Sequence, residues 1–274
     1  MSDNDDAESS ADYQIYPIKD DPEKANYKPV GDKLLTPPFT ALICSSRHTG
    51  KTVLAQNLVC RGFPFYGGVF DRIVLISGVL HNDRSAKHLV EYCGEENCFT
   101  EYDDRIIEGL YEANKGKPPN EQEKVLVIGD DIPSLGASQT SKLYTMATTC
   151  RHCNISVLLI SQLLRSTGKG GGIGSAFRNN CEMYIIGRQS NKKTLDSIME
   201  ELSHFQDPKA NLRAYNDIVA GNPYSFMVFN SRNLSIRDNF GDEIFRRYDE
   251  NGNYNPDYSG KKAIDDDLKD LIEN

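Results

Sequence analysis

At 274 residues, with 38% hydrophobic, 26% charged and 9% aromatic residues, the chain suits one sizeable α/β domain with polar appendages. No apolar run reaches the roughly 18 residues of a membrane span, and the acidic amino terminus lacks the basic and apolar parts of a signal peptide, which argues against a spanning or secreted protein. The formal net charge of −9 gathers at the ends, where Asp3, Asp5, Asp6, Glu8 and Asp12 stand unopposed and Asp265, Asp266, Asp267, Asp270 and Glu273 meet only Lys269; the body between them is balanced, so a local basic surface is not excluded.

Residues 1–34 are polar and proline-dotted and read as a flexible arm or strap. FTALICS at 39–45 reads as a buried strand, followed by SSRHTGKT at 45–52 and a helix over 51–61. Further unalternated apolar runs follow at 72–78, 124–131, 155–162, 182–188 and 224–230, with helices expected at 103–115, 138–150 and 191–203. Such runs suit strands covered on both faces, and their alternation with helices predicts βαβ units and a mostly parallel sheet. The runs 224–230 and 234–238 predict a closing hairpin, and 241–274 reads as an acidic tail with a short helix from Asp265. The domain therefore spans 35–240. Seven scattered cysteines suit a reducing compartment, and small half-buried thiols account for Cys150/Cys153 and Cys93/Cys98 better than a zinc site.

A strand, a short polar loop and a helix opening on Lys51-Thr52 form the context of a phosphate site. Backbone N–H groups of Ser45, Ser46, Arg47, His48, Thr49, Gly50, Lys51, Thr52 and Val53 would face the anion, Lys51 would neutralise its charge, and Thr52 would offer a hydroxyl to Mg²⁺. Ser45 stands where this motif begins with glycine, a turn position that a small hydroxyl residue can serve. VLVIGDD at 125–131 ends a strand in two carboxylates, Asp130 to hold Mg²⁺ and Asp131 to polarise a water; after a phosphate loop this pair means ATP rather than an ordinary turn. Gln162, at the end of the next strand, suits a γ-phosphate sensor or simply a polar strand terminus. Arg151 suits an arginine finger or a helix-terminal cation.

The ordered set SSRHTGKT, VLVIGDD, CRHCNISVLLISQ and AFRNNCEMYIIGR resembles the genome-packaging ATPases of nucleocytoplasmic large DNA viruses, the poxvirus type and virophages included, in the FtsK-HerA group of P-loop motors. The resemblance covers roughly 35–240. It implies an ASCE-type, RecA-like sheet with a strand added between the two Walker strands. It also implies a ring of five or six identical subunits at a capsid or portal vertex, and ATP-driven movement of double-stranded DNA in the virion, host cytoplasm or viral factory. By resemblance Lys51 and Thr52 are the Walker A pair, Asp130 the Walker B aspartate, Asp131 the acidic position after it, Gln162 the sensor, and Arg151 or Arg178 the finger. Ser45 for glycine and Asp131 for glutamate depart from the pattern. DNA contacts are expected from Arg165 and Lys169 in the glycine-rich loop after the sensor strand, and from Arg188, Lys192 and Lys193, although a solvated loop explains these cations equally. A nucleotide-operated switch with little turnover and, further off, a small-molecule kinase are the competing functions.

Overall fold

The computed structural model describes residues 26–80, 86–135, 137–138, 140–165, 172–220 and 222–246. Lys169, most of 1–34, and the tail from 247 with its expected helix lie outside them.

Nine strands form one sheet in the order β3-β2-β4-β5-β1-β6-β7-β8-β9. They are β1 (Thr40–Cys44), β2 (Arg72–Ser77), β3 (Cys98–Phe99), β4 (Val125–Asp130), β5 (Ile155–Ser161), β6 (Met183–Gly187), β7 (Phe226–Asn230), β8 (Ser235–Asp238) and β9 (Glu243–Arg246). β1 to β6 run parallel, and β7, β8 and β9 follow antiparallel at one side. β5 lies between β1 and β4, the strand insertion the resemblance implies, and the mostly parallel P-loop architecture is as expected.

The unalternated runs are explained by two cores. Leu42, Val127, Leu159, Tyr184 and Phe229 face one of them, and Ile43, Ile128, Leu158, Ile185 and Val228 the other. The first is roofed by α3 (Asp104–Asn114), α6 (Lys192–Glu201) and α7 (Pro208–Ala220), the second by α1 (Lys51–Cys60) and α2 (Lys87–Cys93). A parallel sheet of this kind exposes no face to water, so every strand residue can be apolar.

Local chemistry sets the helix starts. Asp103 caps α3 by accepting from Arg105 N at 2.9 Å, Asn191 caps α6 by accepting from Lys193 N at 2.9 Å, and Asp207 accepts from Lys209 N at 2.9 Å ahead of Pro208 in α7. The helix expected over 138–150 is shorter: α4 spans Lys142–Met146 and a separate 3-10 turn covers Cys150–Cys153. The cause is a run of threonines whose hydroxyls bond back three residues, Thr145 to Lys142 O, Thr148 to Thr145 O and Thr149 to Met146 O, competing with the helical ladder. A short α5 (Ser175–Asn179) precedes β6.

The sheet also runs past residue 240, where the sequence closes the domain, because β9 pairs with β8 and buries Phe245. The last residues of the expected arm pack as well: Leu34 is buried and Gly31 N donates to Pro64 O at 2.8 Å. All seven cysteines are free, five of them buried, and burial pushes every thiol up, Cys60 and Cys150 to about 11, Cys44 and Cys93 to about 12. Among the described residues no group of three or more His, Cys, Asp or Glu gathers as metal ligands, at Cys150/Cys153 or elsewhere.

Candidate functional site

The carboxyl ends of β1, β5 and β4 bring the loop 45–52, Gln162 and the Asp130-Asp131 pair to one edge of the sheet. A cleft of about 590 Å³ opens there, lined among others by Ser46, Arg47, Asp131, Ser134, Gln162 and Asn191. Ligands of open α/β sheets bind at this edge.

The loop is tied at its root to both flanking strands. Ser45 N donates to Ser161 O at 3.1 Å at the end of β5, and Ser46 N to Arg188 O at 2.9 Å just beyond β6. The Ser45 hydroxyl, buried in the root, bonds the Thr49 hydroxyl and lies 3.4 Å from Arg188 O. Thr49 in turn donates to Ser46 O at 2.8 Å. The serine that departs from the glycine pattern thus clasps the two ends of the loop. Gly187 makes room for it, since a methyl group there would stand 2.9 Å from the Ser45 oxygen.

His48 and Gly50 take left-handed conformations, φ 60° and 82°, so the loop coils into the concave run of amides that anions occupy before α1 begins at Lys51. The Lys51 amine folds back onto Ser46 O at 2.7 Å. Burial lowers its pKa, against the upward pull of Asp130, Cys44 and Asp131. The cation is therefore half-desolvated and short of strong acceptors, which favours an incoming phosphate.

Across the cleft Ser77 Oγ donates to Asp130 Oδ2 at 3.2 Å. Asp131 adopts φ 49°, a conformation aspartate tolerates better than most residues but still at some cost, while its N–H donates to Ile160 O at 2.9 Å. Gln162 Oε1 accepts from Arg47 Nε at 3.2 Å, joining the loop to the end of β5. The Thr52 hydroxyl and the Asp130 carboxylate belong to elements meeting at this edge, and both are the hard oxygen donors Mg²⁺ takes, so the residues fit that ion.

The two arginines sit elsewhere. Arg151 precedes β5, at the opposite edge of the sheet, and its guanidinium pairs with Glu182 of the same chain, which also holds Arg232 at 2.9 Å and Thr40 N at 3.1 Å. Arg178, its side chain 15% exposed, pairs with Glu201 at 3.0 Å, and Arg165 pairs with the same carboxylate. The structure brings neither Arg151 nor Arg178 to this cleft. Arg188, Lys192 and Lys193 are exposed beyond β6, and among the described residues none meets a carboxylate.

With this geometry in view, two solved structures share the architecture. B204, the genome packaging NTPase from Sulfolobus turreted icosahedral virus 2 in complex with AMP, superposes with a TM-score of 0.53 over 75% of this chain and 98% of its own, at 12% identity. B204, the DNA-packaging ATPase from Sulfolobus turreted icosahedral virus, does so with a TM-score of 0.51 over 74% and 97%, at 14% identity. The chain has the fold of these viral packaging ATPases. No family model and no curated protein matches the sequence.

The packaging-ATPase fold also accounts for neighbours of the loop that sequence reasoning missed. Ser190 N donates to Ser46 Oγ at 2.9 Å, and Gln189 Nε2 to Cys44 O at 3.2 Å. The signal was present: in a parallel sheet, whatever follows β6 lies beside whatever follows β1, so 188–191 had to border the loop. No helix among the described residues is long and apolar enough to cross a membrane.

Proposed function

We propose that the protein is an ATP-hydrolysing motor that moves viral double-stranded DNA into a capsid, working as a homo-oligomeric ring of five or six subunits beside capsid or portal-vertex proteins. The observation that supports it is the meeting of Lys51-Thr52, Asp130-Asp131 and Gln162 at the ends of three adjacent strands, with Asp131 and Gln162 lining one cleft beside the loop. The likeness in fold to two packaging ATPases adds the biological setting.

In this reading the loop amides bind the triphosphate, and Lys51 exchanges Ser46 O for phosphate oxygen. Mg²⁺, held by Thr52 and Asp130, supplies neutralisation of phosphate charge when bound. Asp131 polarises the attacking water, and Gln162, released by Arg47, contacts the γ-phosphate. Arg188, Lys192 and Lys193 offer DNA phosphates unpaired charge, joined by Lys169; Arg165 does so once it leaves Glu201. Arg151 serves as the finger for a neighbouring subunit only after giving up Glu182, whose charge Arg232 still balances; Arg178 would have to leave Glu201.

Steady-state ATP hydrolysis with and without double-stranded DNA tests the proposal. Turnover raised by DNA and lost in Lys51→Ala and Arg151→Ala is expected. Turnover indifferent to DNA removes the motor. A nucleotide-operated switch is the second reading, favoured by Asp131, whose side chain is one methylene shorter than glutamate and whose backbone is held at φ 49°; tight ATP binding with negligible turnover, restored by Asp131→Glu, would establish it.

A further inference from the structure

A second cleft, of about 450 Å³, opens beside the phosphate loop, lined by Thr49, Gly50, Lys51, Val53 and Asn57 on one wall and by Gly187, Tyr224 and Phe226 on the other. It lies toward β6 and β7, on the far side of β1 from β5 and β4 and their Gln162 and Asp130. Of the exposed large apolar side chains among the described residues, Val53 at 49% and Tyr224 at 64% both line this slot. The Tyr224 backbone is fixed in place: its N–H donates to Asn222 Oδ1 at 2.9 Å, and Ser225 N donates to Asn222 O at 3.1 Å. Its ring lies against the helix cap, where a methyl group on Gly50 would stand 3.2 Å from Cδ1.

A γ-phosphate poised for hydrolysis must lie on the β5–β4 side, where the carboxylates and Gln162 are. A nucleotide whose phosphates follow the loop must then carry its remaining parts the other way, over β1 toward β6 and β7. What it meets there is an apolar slot that shares Gly50 and Lys51 with the loop and presents an exposed aromatic ring. Aromatic rings left open to water beside a ligand site are stacking platforms for flat, polarisable groups.

We propose that this slot binds the base of the nucleotide, with Tyr224 as stacking platform. Asn57 Nδ2 donates to Val53 O at 2.7 Å and keeps a second N–H and its amide oxygen for the edge of the base. The proposal rests on the phosphate-loop reading above and adds the base and its platform.

Titration calorimetry with ATP and inorganic tripolyphosphate separates the slot from the loop. Tripolyphosphate carries no base, so its binding reports the loop alone and should vanish in Lys51→Ala. Tyr224→Ala should weaken ATP about tenfold, the scale of one base stacked on an aromatic ring, while leaving tripolyphosphate unchanged, and Tyr224→Phe should restore ATP. Tripolyphosphate bound through Lys51 with ATP affinity unmoved by Tyr224→Ala overturns the base slot and spares the loop. Absence of any tripolyphosphate binding overturns the loop reading itself.

Discussion

Ser45 shows how one residue can break a motif and still close its loop. Glycine at the head of a phosphate loop supplies freedom; here a hydroxyl supplies a tie to Thr49 and the Arg188 carbonyl. Restoring the glycine should therefore harm: Ser45→Gly loses the tie and adds backbone entropy to the unfolded chain, about 1–2 kcal/mol together, read as a Tm lower by several degrees and a weaker ATP Kd. A Tm equal to wild type would show the clasp to be idle. Lys51 carries a second expectation. Burial lowers its pKa from 10.5, so the empty loop loses its cation early as pH rises, whereas bound phosphate draws the pKa up again. ATP binding should then take up protons on the alkaline side, and affinity should fall as pH climbs through the depressed value. Calorimetry in buffers of different ionisation heat measures the uptake, and none at any alkaline pH sinks the expectation. The sequence made Lys51, Asp130 and Gln162 legible because strand ends in a parallel sheet converge. It hid Tyr224, which reaches the loop only through the antiparallel return of β7.

Among the elements, the long apolar strands were the readable part, since burial on both faces leaves a pattern in every residue. The segment 138–150 was misread for the opposite reason: its helix is decided by threonine hydroxyls competing for carbonyls, which apolar periodicity does not register. β9 was missed because four residues at a sheet edge carry too little alternation to stand out from a polar tail. α6 links the edge to the body: it is capped by Asn191 beside the loop and ends at Glu201, which anchors Arg165 and Arg178. Asn191→Ala removes the acceptor for Lys193 N and Thr194 N and should cost about 1 kcal/mol, seen as faster amide exchange in the first turn of α6. Unchanged exchange there would show that packing of Leu195 and Ile198, not the cap, fixes the start.

The molecule as a whole divides its labour between the two edges of one sheet. The proposed nucleotide site occupies the carboxyl ends, while at the amino ends Glu182, 5% exposed, knits Thr40, Arg151 and Arg232 together, and Arg232 reaches Thr36 O and Pro38 O at 2.8 and 2.9 Å. Glu182→Gln should destabilise by about 2 kcal/mol, less than a fully buried pair because the Arg151 side chain is 66% exposed, and should leave the ATP Kd unchanged. A changed Kd with an unchanged Tm would mean that the two edges communicate. The cysteines have a practical corollary. Five of the seven are enclosed, and burial raises every thiol pKa, so the native background to brief maleimide treatment is confined to the half-buried Cys60 and Cys98. A single cysteine placed at Lys192, on the exposed rim beyond β6, can carry a fluorophore once Cys60 and Cys98 are replaced, and movement of this rim on addition of nucleotide becomes directly observable.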